Sequence, residues 1–102
     1  MTTPEGKVKN KVKKVLADSE RFGHIYSHWP VPSGYGKSTL DCLGAIRGRA
    51  FAIETKAAGL RLTALQLGYA SDMRQAGMKV FTIDGDTAEL EEWLTDVCAG
   101  RA

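Results

Sequence analysis

A chain of 102 residues with 43% apolar, 25% charged and 8% aromatic side chains can build one compact domain around one core, and not two. That apolar share excludes a disordered chain, and no run of about 18 apolar residues exists to span a bilayer. The net charge of +2 hides an asymmetry, because residues 1–80 balance to +7 and the last 22 to −5. Such a polarity could steer a polyanion to one face or be plain solvated surface, so charge alone does not choose a function. Cys42 and Cys98 lie far apart, which points to neither a disulfide framework nor a zinc knuckle. With no apolar leader after Met1, reduced thiols and a cytoplasmic location are expected.

Thr3-Pro4-Glu5 reads as a helix cap, a first-turn proline and an acid at the positive end of the dipole. Val8, Val12, Val15 and Leu16 then recur at helical spacing to about residue 18, with Lys7, Lys9, Lys11, Lys13 and Lys14 around them. We expect those lysines to form a solvated face. Residues 24–31 have the aromatic and β-branched content of a strand, closed by Pro30 and Pro32. Residues 33–38 read as a glycine-rich loop. Residues 40–46 and 50–56 are short apolar runs on either side of Arg47-Gly48, which suits a tight hairpin turn. Thr63 caps a helix to about Ala76, with Leu65, Tyr69, Met73 and Ala76 as its expected inner stripe and Gly77 beyond it. Residues 79–83 form a strand, and Asp86 begins a last helix carrying Leu90, Trp93, Leu94 and Val97. The order α-β-β-β-α-β-α predicts an α/β fold, a mixed sheet flanked by helices, in a single domain spanning residues 1–102.

The hairpin carries the chemistry. Period-two alternation puts Phe51, Ile53 and Thr55 on one face of the second strand and Ala52, Glu54 and Lys56 on the other. With a two-residue turn at Arg47-Gly48, residue 46 pairs with 49 and Asp41 falls opposite Glu54. A three-residue turn would instead set Asp41 opposite Thr55. Facing carboxylates repel, and a divalent cation between them would remove the repulsion. The plainer alternative for Glu54 and Lys56 is a surface salt bridge. Glu5 lies within the apolar arc of the first helix, where it either reaches the sheet or simply stabilises the helix dipole.

Asp41 followed by Glu54-Thr55-Lys56 resembles the signature of the PD-(D/E)XK nuclease superfamily, an aspartate and then (D/E)-x-K on adjacent strands. Within it, residues 38–44, the run from Arg47-Gly48-Arg49 through Lys56-Ala57, and Thr63-x-x-Gln66 resemble the VRR-NUC (virus-type replication-repair nuclease) family. The Thr-Pro-Glu opening and residues 75–81 also fit that family's compact phage-type members. Leu40 stands where the family commonly has proline before the motif aspartate. The resemblance covers roughly residues 3–85 and implies a restriction-endonuclease-like αβββαβ core plus a C-terminal helix.

It further implies metal-dependent hydrolysis of phosphodiester bonds. Asp41 and Glu54 would be ligands of Mg²⁺ or Mn²⁺, with the backbone carbonyl of Thr55 and the carboxylate of Glu5 completing the site. Lys56 would orient the attacking water or stabilise transition-state charge. Gln66 would sit near Lys56; the competing reading makes Gln66 part of a capping box with Thr63. The implied substrate is branched DNA such as a four-way (Holliday) junction, cut by a homodimer in a bacterial or phage-infected cytoplasm. Alternatives are a nicking endonuclease, a restriction-type subunit, or a DNA-binding domain that keeps the fold without catalysis.

Other cations and motifs are weaker. Tyr35, Lys37, Arg47, Arg49 and Arg61 fall in loops expected near the site, either touching phosphates or simply solvated. Gly36-Lys37-Ser38 resembles the end of a phosphate-binding loop, but Val31 stands where the first glycine belongs, so no nucleoside triphosphate is expected. His24 and His28 read as ordinary sheet histidines rather than a zinc pair. Cys42 alternates away from Asp41 and reads as a small core residue.

Overall fold

A computed structural model describes residues 3–31 and 39–102 of the protein. In chain order the elements are α1 (Pro4–Ser19), β1 (Ile25–His28), β2 (Cys42–Ile46), β3 (Arg49–Thr55), α2 (Ala64–Gln75), β4 (Lys79–Ile83) and α3 (Ala88–Cys98). This is the α-β-β-β-α-β-α order expected, and the sheet is mixed. Its strands run β1-β2-β3-β4, with β1–β2 and β2–β3 antiparallel and β4 parallel to β3 across the α2 crossover.

Local chemistry explains the element ends. Thr3 Oγ1 accepts from the Gly6 N–H at 2.9 Å and Pro4 opens α1. At the hairpin, Arg47 (φ 47°) and Gly48 (φ 79°) are both left-handed, the requirement of a two-residue turn that matches strand twist. Ile46 therefore pairs with Arg49 and Cys42 with Ile53, and one step further outward Asp41 meets Glu54. At the far end of α2, Gly77 takes φ 94° beyond the cap.

Period two along β3 feeds two layers. Phe51 and Ile53 join Cys42, Ile46, Phe81 and Ile83 beneath α1 (Val8, Val12, Leu16) and α3 (Leu90, Leu94, Val97). Trp93 meets the rings of Phe51 and Phe81 edge-on, with centroids 5.9 and 5.6 Å away. On the opposite face Leu40, Ala52 and Val80 pack under Ala70 of α2. Cys42 is fully buried, as expected of a core residue, and burial pushes its thiol up to about 12.

Four expectations shift. β1 spans Ile25–His28 rather than 24–31, and β2 begins at Cys42 rather than residue 40, because the Thr55 N–H donates to the Asp41 carboxylate at 2.9 Å instead of continuing the ladder. The last helix begins at Ala88, not Asp86, whose Oδ1 instead accepts from the Ala88 N–H at 2.9 Å. The inner face of α2 is turned by one residue: Leu65 is 63% exposed and Ala76 is exposed, while Gln66, Tyr69, Ala70 and Met73 face the sheet. The cause is polar, since Gln66 is held inward by its cap and by Glu54. The predicted loop 33–38 lies outside the described residues. Among the described residues no helix is long and apolar enough to cross a membrane.

Candidate metal centre

The site forms at one end of the sheet. Glu54 is the penultimate residue of β3, Asp41 immediately precedes β2, and Glu5 lies in the first turn of α1. Carboxylate oxygens of Glu5, Asp41 and Glu54 all lie within 4.8 Å of one another. This is the carboxyl end of the parallel pair β3 and β4, where open α/β sheets commonly place ligands. Glu5 belongs to the first turn of α1 and Gln66 to that of α2, so both helix N-termini lie beside the acids, and helix N-termini favour negative charge.

Hydrogen bonds fix the acids. The Asp41 N–H donates to Glu54 Oε1 at 3.0 Å, and Asp41 Oδ2 accepts from the Thr55 N–H at 2.9 Å and the Thr55 hydroxyl at 2.8 Å. Gln66 Nε2 donates to Glu54 Oε2 at 2.7 Å. Its Oε1 accepts from the Thr63 N–H at 3.0 Å while Thr63 Oγ1 accepts from the Gln66 N–H at 3.2 Å. The capping reading of Gln66 therefore holds, and the same side chain reaches Glu54. One amide end caps α2 and the other steadies Glu54.

Electrostatics show what the cluster would accept. Glu54 is only 3% exposed. Burial first, then the charge of Asp41, push its carboxyl up to about 7, against the opposing pull of the Asp41 N–H and the Lys56 ammonium. A raised carboxyl among converging acids is the state that a cation would relieve. The donors are all oxygens, with no sulfur or imidazole among them, which suits a hard divalent ion such as Mg²⁺ or Mn²⁺.

One cation that the sequence reading left in solvent belongs to the site. Lys9 Nζ lies 3.7 Å from Asp41 Oδ1. Its signal was available, since it follows Glu5 by four residues and so shares a helix face with it. Arg47 and Arg49 are a correction. Arg47 sits in the hairpin turn and Arg49 directly after it, at least five ladder steps or roughly 17 Å from Asp41 and Glu54, at the opposite end of the sheet. There Arg47 donates to the Phe22 carbonyl at 3.5 Å and Arg49 to the Ala102 carbonyl at 2.6 Å. Arg61 is exposed in the segment joining β3 to α2, on the site's side. Tyr35 and Lys37 lie outside the described residues. His24 pairs with Glu20 at 3.1 Å and His28 is exposed, so neither joins the acids.

No protein-family model matches the sequence, and no curated protein matches it. The class therefore rests on fold and site. The chain is an α/β protein with a clustered acidic triad, consistent with the PD-(D/E)XK-like nuclease superfamily.

Proposed function

We propose that the protein is a divalent-metal-dependent DNA endonuclease of PD-(D/E)XK type, closest in motif to the VRR-NUC family. The supporting observation is the convergence of Glu5, Asp41 and Glu54 within 4.8 Å at the end of a mixed sheet, with Lys56 two residues beyond Glu54. In this reading Asp41, Glu54 and Glu5 hold the ion, and the Thr55 carbonyl adds a neutral oxygen. A bound Mg²⁺ or Mn²⁺ supplies Lewis-acid polarisation of the phosphoryl oxygen and acidifies a water.

The protein's own groups do the rest. Thr55 and Gln66 fix the carboxylate rotamers, so the acids are organised before substrate arrives. Lys56 stabilises charge growing on the phosphoryl oxygens or orients the water. Water adds to phosphorus, one ester P–O bond breaks, and the products are a phosphate monoester and an alcohol. Arg61, exposed between β3 and α2, would meet the flanking backbone in this reading. A domain this small offers little surface for reading sequence, which favours recognition of DNA shape. A four-way junction has paired scissile positions, and a two-fold homodimer would present two sites to them. A bacterial or phage-infected cytoplasm fits such a substrate.

The test is cleavage of a labelled four-way junction and of a linear duplex with the same arm sequences, in Mg²⁺ and in EDTA. Cutting of the junction that needs Mg²⁺ and is lost in Glu54→Ala supports the reading. Equal cutting of the linear duplex removes the preference for branched DNA and favours a nicking or restriction-type enzyme. DNA binding without cutting in any metal would leave a non-catalytic binding domain.

A further inference from the structure

The lysines of α1 occupy two different environments. Lys11 Nζ donates to the Gly85 carbonyl at 2.6 Å, and Lys14 pairs with Asp18 at 3.0 Å on an exposed turn. Lys9 and Lys13 lie on the other margin of the buried stripe Val8–Val12–Leu16. Together with Glu5 they stand four residues apart, so the three share one helix face at steps of about 6 Å. The row starts at the acidic cluster and leads away from it along β1.

Each of the two lysines is held by something outside its own helix. Lys9 sits 3.7 Å from Asp41, too long for a hydrogen bond, with its side chain 36% exposed. Its ammonium is thus near the site yet open to a second anion. Lys13 Nζ lies 4.9 Å from the ring centroid of Trp29, which is partly buried against the main core. Trp29 directly follows His28, the β1 residue paired with Leu43, so this shelf lies at the same end of the sheet as Asp41. From Lys13 and Trp29 a groove of about 320 Å³ runs between α1 and β1 past Ser27 to Glu20. Glu20 closes it with a carboxylate already engaged by the Ile25 N–H and His24.

We infer that Lys9 and Lys13 form a two-phosphate track that carries the DNA strand away from the metal centre. This rests on the nuclease reading and adds the direction in which the strand leaves. Lys9 and Lys13 spring from positions about 6 Å apart along a rigid helix, comparable to the gap between successive phosphates of one strand. The Trp29 ring holds the Lys13 ammonium in place, which lowers the entropy lost when a phosphate docks. Beyond Lys13 the Glu20 carboxylate repels the backbone, so the track covers two phosphates and ends.

The experiment measures binding of a fluorescent 30-base-pair DNA duplex by anisotropy from 0.05 to 0.3 M salt, with Ca²⁺ in place of Mg²⁺ to hold turnover off. Each phosphate contact contributes about 0.9 to the slope of log K against log salt, which is about eightfold in affinity at 0.1 M. Lys13→Gln and Lys13→Met should each lose one such unit of slope and about eightfold in affinity. Lys9→Gln should do the same, Lys13→Arg should keep both, and Lys14→Gln should match the wild type. Circular dichroism of each variant checks the fold, and Lys13→Met retains the apolar stem over Trp29. If wild type binds the duplex and both folded Lys13 variants match its slope and affinity, the track is wrong while the nuclease reading stands. If wild type neither binds nor cuts DNA, both fall together.

Discussion

Asp41 and Glu54 act on each other in opposite senses: the Asp41 N–H donates to Glu54 Oε1 at 3.0 Å, while the Asp41 charge raises the Glu54 carboxyl. The backbone of one acid thus stabilises the ionised form that its own side chain disfavours. Burial adds to the side chain's effect and prevails, leaving Glu54 at about 7. The fold thus disfavours two ionised carboxylates here in the absence of a cation.

Asp41→Asn should therefore separate stability from metal binding. Asparagine retains an oxygen for the Thr55 N–H and hydroxyl, and removes the charge that opposes ionisation of Glu54. The lost Lys9 pair is half-exposed and costs little. At pH 8 without metal the variant should gain about 1 kcal/mol, a rise of about 4–8 °C in melting temperature. The further rise that Mg²⁺ gives the wild type should vanish. A variant that keeps the Mg²⁺ shift would remove Asp41 from the ligand set.

The same carboxyl sets a pH dependence with a definite sign. Glu54 titrates near 7 in the folded protein against 4.5 for a free side chain, so between those values the folded state binds the extra proton. Its stabilising contribution is complete below pH 4.5 and is lost as pH rises through 7. Metal-free melting temperature should fall by about 10 °C between pH 5 and pH 8. Millimolar Mg²⁺ should restore it at pH 8 and have little effect at pH 5, because the ion requires the ionised carboxylate. Differential scanning calorimetry at the two pH values, with and without the ion, reads both effects.

Gln66 offers a way to divide its two roles. Gln66→Glu keeps an oxygen for the Thr63 N–H and so keeps the cap, but loses the donor to Glu54 and adds a carboxylate beside it. Denaturant stability near pH 5 should change little, while the pH midpoint of Mg²⁺-induced stabilisation should rise by about one unit. Gln66→Ala loses the cap as well and should cost about 1 kcal/mol at either pH. Identical behaviour of the two variants would mean that the contact with Glu54 does nothing.

Gly44 has no room for a side chain. A Cβ there would collide with the Tyr26 carbonyl on β1 and with the ring of Phe51 on β3. Neither can retreat, because one is ladder backbone and the other is fully buried under Trp93. Gly44→Ala should destabilise the protein by about 3 kcal/mol and lower its melting temperature by more than about 10 °C. Gly68→Ala, in a helix with open space at the added methyl, should be neutral or stabilising.

What could be read from the sequence follows from rules that act between near neighbours. A two-residue turn at Arg47-Gly48 fixes the pairing of β2 with β3, and period two then brings Asp41 opposite Glu54. Thr63 and Gln66 identify the start of α2 in the same way. The register also places Arg47 and Arg49 at the far end of the sheet, a consequence that counting along the hairpin contained and the loop reading overlooked.

Docking of the helices on the sheet was decided elsewhere. Periodicity identifies the apolar stripe of α1, but not which strands run beneath each of its margins. Only the packed structure sends Lys11 toward Gly85 and Lys9 and Lys13 toward Asp41 and Trp29. Periodicity likewise favoured Leu65 for the inner face of α2, until the need of buried Glu54 for a donor turned Gln66 inward and left Leu65 in solvent. Turn geometry and strand alternation are short-range and are written in adjacent letters. The orientation of a helix is a balance of burial and hydrogen bonding among residues distant in the chain, and it exists only once they are packed together.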